Sequence, residues 1–166
     1  IFVDNLLSNS DFETFVTDTF TNWSSSGSPT LSQESTIVMH GSGAAKVVAS
    51  GAAGQMTQSV TANFNQIADR QVTFESWVYA TTADTTRIRI LWGSGSYESH
   101  DYHDGVDQWQ LQSISISIPS TATEVTAVLE VADGYTGYFD ASWLAIDPVY
   151  KYTVPTSISF GPHYVT

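Results

Sequence analysis

The chain has no cysteine in its 166 residues, and only five lysines and arginines stand against seventeen aspartates and glutamates. Without cysteine there is no disulfide scaffold, no thiol nucleophile and no thiolate zinc site. A formal net charge of -12 sets up a long-range field that repels phosphate, so nucleic acid and anionic membrane are expected to be absent as partners. No apolar run approaches the roughly 20 residues that a membrane span requires. The usual signatures of chemistry are missing too: no serine-nucleophile motif, no glycine-rich phosphate loop and no His-Glu zinc motif occurs. The expectation is a protein that is not an enzyme. Paired carboxylates for glycoside hydrolysis leave no trace in sequence, since their separation is set by the fold. The chain opens on Ile1 with neither an initiator Met nor a leader pattern, as expected of a processed chain or a domain excised from a longer one.

What is present points to pleated sheet. Serine (22) and threonine (20) make up about a quarter of the chain, while charged residues make up 13%. Apolar positions are filled largely by β-branched and aromatic residues, which suit a half-buried pleated surface. Period-2 alternation recurs along the chain. Val72, Phe74, Ser76 and Val78 alternate with Thr73, Glu75, Trp77 and Tyr79. Ile88 and Ile90 alternate with Arg87, Arg89 and Leu91. Further runs cover residues 113–118 and 125–131, with shorter ones at 44–49, 56–60 and 138–146. Turn-forming clusters separate them at 24–29, 51–54, 81–85, 93–96, 104–107 and 133–137. One short turn is expected over 63–69, and no amphipathic helix pattern of a dozen residues appears. Eight or so short strands at this spacing predict an all-β fold, an antiparallel β-sandwich of jelly-roll type. A chain of this length buries about 70% of its unfolded surface and folds without a metal or cross-link. Texture changes at Asp147-Pro148, so residues 1–147 are read as one domain and 148–166 as an exit strand or linker. The alternation of Tyr150, Tyr152 and Val154 leaves open an edge strand on the same sandwich.

Three stretches, taken in order, resemble the jelly-roll carbohydrate-binding modules of families 4, 9, 16 and 22, of galactose-binding-domain-like type. They are Asn5-Leu6-Leu7-Ser8-Asn9-Ser10-Asp11-Phe12-Glu13 followed by Trp23; His40-Gly41-Ser42-Gly43-Ala44-Ala45-Lys46-Val47; and 72–80, then Trp109, then Tyr138-Phe139-Asp140-Ala141-Ser142-Trp143-Leu144. The likeness spans roughly residues 5–147 and departs from the pattern at Ser142, usually an apolar core position, and at Asp11. Similar domains also occur inside phage structural proteins. The resemblance implies a structural Ca²⁺ where the first and last strands meet, with Asp11, Glu13 and Asp140 as ligands and carbonyls of turn 40–43 completing the shell. Ca²⁺ takes six to eight hard oxygens, so such a site would pin sequence-distant segments together. The alternative is that Glu13 and Asp140 accept hydrogen bonds from turn amides.

The residues themselves suggest a sugar-binding face. If strands 72–80 and 86–92 pair, one outer surface carries Glu75, Trp77, Tyr79, Arg87 and Arg89 together. Pyranose rings stack flat C–H faces on aromatic rings, and their hydroxyls suit planar bidentate partners such as guanidinium and carboxylate. Two other readings stay open: Arg87 and Arg89 paired with Glu75 and Glu130 as a salt-bridged surface, and a protein–protein interface. Around the stretch 98–107, a loop at the sandwich edge that contributes Tyr97, His100 or Tyr102 to a ligand cleft is a further candidate. A plain turn, or a metal held by His100 and His103, are the other possibilities there. Trp23 and Trp109 follow turns and are read as core wedges. The expected function is non-catalytic binding of a polysaccharide or oligosaccharide that tethers a larger multidomain protein or assembly, extracellular, secreted or on a virion surface. The alternative is a structural or decoration domain of a phage or cell-surface assembly that binds no glycan.

Overall fold

The structure, a computed structural model, describes residues 4–61, 67–93 and 95–147. The tail 148–166 and most of the turn expected over 63–69 lie outside these residues. Among the described residues there are twelve strands and no helix. They are β1 (Phe15–Val16), β2 (Thr19–Phe20), β3 (Ser24–Ser26), β4 (Thr30–Glu34), β5 (Ala44–Val48), β6 (Gly54–Val60), β7 (Gln71–Tyr79), β8 (Thr86–Trp92), β9 (Ser96–Ser99), β10 (Gln110–Ser117), β11 (Val125–Val131) and β12 (Thr136–Ile146).

Two five-stranded antiparallel sheets pack face to face, in the orders β10-β7-β12-β5-β4 and β3-β6-β11-β8-β9; β1 and β2 form a separate ribbon. The jelly-roll sandwich expected from the sequence is the observed architecture. Alternation predicts which side chains point inward. Val72, Phe74 and Val78 of β7 are fully buried, as are Ile88 and Ile90 of β8 and Val125, Ala127 and Leu129 of β11. They join Phe12, Phe20, Met56 and Phe139 in one hydrophobic core between the sheets. Removing one of these phenylalanine rings is expected to cost about 3–5 kcal/mol.

The expected pairing of β7 with β8 does not occur. β7 lies between β10 and β12 in the first sheet, whereas β8 lies between β11 and β9 in the second. Residues 81–85 therefore carry the chain from one layer to the other, and the outward side chains of β7 and β8 look away from opposite sides of the molecule. Alternation reports inside against outside; it carries no information about which layer a strand joins.

Strand β12 contains the feature that shapes the first sheet. Its register with β7 shifts between Asp140 and Trp143, and Ala141 has a left-handed φ of 45°. A β-bulge inserts one residue and so reverses the parity of everything after it. Phe139 points inward before the bulge and Leu144 points inward after it, which leaves both Tyr138 and Trp143 on the outer face. The serine that departs from the family pattern, Ser142, is buried at the bulge, where its hydroxyl bonds that of Ser76 at 2.9 Å. Its amide donates to the Ser10 carbonyl (2.8 Å). Asn5 closes the same corner, donating to the Ser142 carbonyl (3.0 Å) and accepting from the Leu144 amide (3.0 Å).

Candidate functional site

The outer face of the first sheet is built from the non-core positions of β10, β7 and β12. Register places Tyr79 opposite Tyr138, Trp77 between Leu111 and Asp140, and Glu75 between Ser113 and Trp143. The rings meet: Tyr79 lies 5.5 Å from Tyr138 in an edge-on arrangement and 5.7 Å from Trp109, centroid to centroid. Beside them Trp77 is half-buried, while Leu111 and Trp143 keep 48% and 41% of their surface exposed. This is a partly open aromatic platform: Tyr79, Trp77, Tyr138 and Trp143 stand on the central strands β7 and β12, and Trp109, just before the edge strand β10, packs on Tyr79. Burial first, then the charge of Asp107, pushes the Tyr79 hydroxyl above its usual pKa, so it remains a hydrogen-bond donor.

Polar groups are set among these rings. The Glu75 carboxylate accepts from the Ser113 hydroxyl (2.8 Å). Thr73 bonds Ser115 and Asp147, both at 2.7 Å. Lys46 of β5 reaches over Tyr138 (5.7 Å to the ring centre) and lies 3.9 Å from Glu34. Trp109, expected to wedge the core, instead packs on Tyr79 at the surface. Trp23 does occupy the core, with its indole N–H donating to the Asn9 carbonyl (3.1 Å).

Arg87 and Arg89 stand on the outer face of the second sheet, so they share no surface with Glu75, Trp77 and Tyr79. Both close on Glu130 of the neighbouring strand. The Arg87 Nη2 and Arg89 Nη1 atoms each lie 2.7 Å from its carboxylate oxygens, and Gln55 donates to it at 2.6 Å. Tyr102 covers the Arg87 guanidinium at 4.2 Å and Tyr97 covers that of Arg89 at 4.4 Å. Burial alone would push the Glu130 carboxyl up; the bonds from Arg89, Arg87 and Gln55 outweigh it and hold the group below its usual value. Of the two salt-bridge partners left open by the sequence, Glu130 is the one used and Glu75 is not.

His100 lies elsewhere again, in a groove of about 380 Å³ along the sandwich edge between β9 and β10. Its Nδ1 pairs with the Asp101 carbonyl (2.8 Å). His103 is fully buried, and both its ring nitrogens are engaged by backbone: Nδ1 accepts from the Gly105 amide and Nε2 meets the Gln108 carbonyl, each at 2.9 Å. As arranged, His103 has no ring nitrogen free to share a metal with His100 and is part of a fixed turn. Gly105 is required in it, since its φ is 76° and a Cβ there would lie 2.2 Å from the Ala83 amide nitrogen. By anchoring Gln108, this turn also sets the position of Trp109.

Asp11, Glu13 and Asp140, the residues expected to hold Ca²⁺, lie around turn 39–43 or at the chain's opening segment. Asp140 Oδ2 accepts from the Met39 (2.9 Å) and His40 (2.8 Å) amides, and its Oδ1 from the Ala141 amide (2.7 Å). Glu13 accepts from the Ser42 amide (2.6 Å), the Gly43 amide (3.1 Å) and the Ser42 hydroxyl. Asp11 is exposed. Amide hydrogens thus occupy the lone pairs a cation would need, and no group of three His, Asp or Glu among the described residues is arranged to hold a metal. As arranged here the three residues do not fit a Ca²⁺ shell. Burial pushes the Asp140 carboxyl up despite its three amide donors, whereas the Ser42 hydroxyl and the amides of Ser42 and Gly43 hold Glu13 down.

No family model and no curated sequence relative matches the chain. Solved structures do. The enzymatically active domain of bacteriophage CBA120 tailspike protein 4 is similar with a TM-score of 0.69 at 14% identity; the match covers 86% of this chain and 21% of that one. The C-terminal family 22 carbohydrate-binding module of Clostridium thermocellum Xyn10B is similar with a TM-score of 0.62 at 21% identity, over 82% of this chain and 91% of that one. The CBM22-1 xylan-binding domain from Paenibacillus barcinonensis Xyn10C reaches a TM-score of 0.66 at 15% identity, over 87% and 95%. The chain thus spans about a fifth of the tailspike chain it matches but nearly the whole of the two binding modules. Its fold is that of the jelly-roll carbohydrate-binding modules.

Proposed function

We propose that this domain is a non-catalytic carbohydrate-binding module that holds a polysaccharide on the outer face of the first sheet. The observation that carries the reading is the platform of Tyr79 and Trp77 on β7 and Tyr138 and Trp143 on the adjacent β12, extended by Trp109 just before β10, partly open and flanked by Glu75, Ser113 and Lys46. Stacking by the rings supplies affinity, and the polar groups select hydroxyl positions. Sites of this kind are expected to bind with a Kd between about 1 mM and 1 μM, or roughly −4 to −8 kcal/mol. Of the residues expected from sequence, Glu75, Trp77 and Tyr79 belong to this site; Arg87, Arg89, Tyr97 and His100 do not. Similarity to modules of xylanases supports a role in tethering a larger extracellular protein to its glycan, which raises local concentration without bond chemistry.

Affinity electrophoresis through gels containing xylan, β-glucan, galactan or galactomannan tests the reading. Wild type should be retarded by at least one polymer, and Trp77→Ala should migrate freely in that gel. The likeness to a phage tailspike favours a second reading, a structural domain of a virion assembly. Free migration of the wild type in every gel, with concentration-dependent oligomers in solution, would select it.

A further inference from the structure

We infer that Glu75 makes the aromatic face selective for uncharged glycans and rejects those bearing uronate or sulfate; this rests on the glycan-binding reading above. The inference comes from where the few cations lie. Two of the three arginines are on the opposite face, closed on Glu130. Arg70 lies just before the start of β7, at the end of that strand away from Tyr79, its Nη2 3.4 Å from the Asp147 carbonyl. Lys46 is the cation at the platform, and Glu34 lies 3.9 Å from it; Lys151 is outside the described residues. Facing these are acidic groups that have no salt-bridge partner among the described residues. Glu75 sits between Trp143 and Ser113, two residues from Trp77 on the same face of β7, with Ser113 as its hydrogen-bond donor. Asp107 acts on the Tyr79 hydroxyl, and Asp147 bonds Thr73 at the far end.

An anionic sugar stacked on Trp77 or Trp143 would bring its carboxylate next to that of Glu75, inside one Debye length and over low-dielectric rings, where like charges repel strongly. A neutral sugar meets the same carboxylate as a hydrogen-bond acceptor for its hydroxyls, an interaction stronger than one between neutral partners. One residue therefore both attracts hydroxyls and excludes acids.

The test pairs polymers that share a backbone but differ in charge: arabinoxylan with glucuronoxylan, and hydroxyethylcellulose with carboxymethylcellulose. Retardation of wild type and Glu75→Gln is measured at low and at high salt, with thermal melts confirming that the variant folds. In the pair that binds, wild type should prefer the neutral polymer. Glu75→Gln should raise the charged-to-neutral affinity ratio by about five- to tenfold at low salt, and high salt should shrink that gain, because screening removes the repulsion. Equal or stronger retardation of wild type by the charged polymer overturns the inference while leaving glycan binding intact. An unchanged ratio in Glu75→Gln overturns the role of that residue. Retardation by none of the four polymers counts against glycan binding itself, and the inference falls with it.

Discussion

The two outer faces of the sandwich start from the same materials, short strands edged with serine and threonine and carrying a few aromatic and charged groups, yet they use them in opposite ways. On the second sheet the charges find each other. Glu130 keeps 7% of its side-chain surface exposed and accepts bonds from Arg87, Arg89 and Gln55, while Tyr97 and Tyr102 lie over the guanidinium planes. On the first sheet Tyr138 meets Tyr79 edge to face and Trp109 tilts against it, and among the described residues Glu75 takes its one side-chain hydrogen bond from a serine hydroxyl. A closed set of partners leaves little for a ligand to bind. An open set of rings and acceptors has its interactions still to make. The difference separates a face that stabilises the fold from one suited to recognition, and each measurement below tries to break that separation.

The largest effect is expected at the closed face. Removing one partner from a buried ion pair leaves uncompensated charge, which typically costs about 3–5 kcal/mol. Glu130→Ala is therefore expected to lower unfolding free energy by about 3 kcal/mol, somewhat less than for a fully buried pair because the arginines keep 23% and 16% of their side-chain surface. Replacing the triad together with leucine and methionine should recover most of the loss. Denaturant unfolding reads both, and retardation by glycan should be the same in all folded variants. Loss of glycan binding in the rescued triple variant would show that the closed face also recognises ligand.

At the open face the signs exchange. Trp77→Ala should weaken glycan binding at least tenfold, about 1.4 kcal/mol or more, while unfolding free energy moves by less than about 1 kcal/mol because the ring is only half-buried. Trp109→Ala should behave in the same way. A destabilisation of 3 kcal/mol or more in either case, on the scale of a core aromatic, would make these rings structural and close the comparison.

These contrasts show which features could be read from the chain. In-and-out alternation identified β7, β8, β10 and β11 because one face of each is buried in a single core. The division into layers was hidden: residues 81–85 resemble a hairpin connection, and nothing local says that β8 leaves the sheet of β7. That hidden crossing is why the arginines were expected beside Trp77. Trp109 was legible in principle, since it continues the outward parity of Leu111, Ser113 and Ser115 one step before β10. Trp143 was not, because its orientation depends on the single inserted residue of the bulge at Asp140. The pairs β1 and β2 and the strands β3, β4 and β9 are too short or too polar to alternate visibly.

Acid separates the faces on a smaller scale. The folded protein holds Glu130 below the ordinary glutamate value of 4.5, so it binds that proton less readily than the unfolded chain does. Its contribution to stability is therefore present above about pH 4.5 and is lost as pH falls through the depressed value. Glu130→Gln mimics the protonated form. The stability gap between wild type and Glu130→Gln should be full at pH 7 and should narrow on acidification toward pH 3, as read by urea unfolding at each pH. Asp140 works the other way, because burial raises its folded pKa and its contribution weakens as pH rises. A gap that stays constant across the range would mean that Glu130 carries no depressed ionisation.

The smallest effect is expected where the sequence suggested a metal. A ligand of the native state stabilises it by an amount that grows with the logarithm of its concentration over Kd. Glu13 and Asp140 already tie turn 39–43 to the chain's opening segment and to β12, Glu13 through three amide or hydroxyl donors of the turn and Asp140 through two. Ca²⁺ would compete with those donors for the carboxylate oxygens, and hydrogen bonds to charged groups contribute about 1.5–3 kcal/mol each. Melting temperature should therefore move by less than about one degree between millimolar Ca²⁺ and excess chelator. A rise of several degrees with Ca²⁺, reversed by chelator, would show that the turn rearranges to present its carbonyls, and that this corner of the fold is held by an ion in place of its own amides.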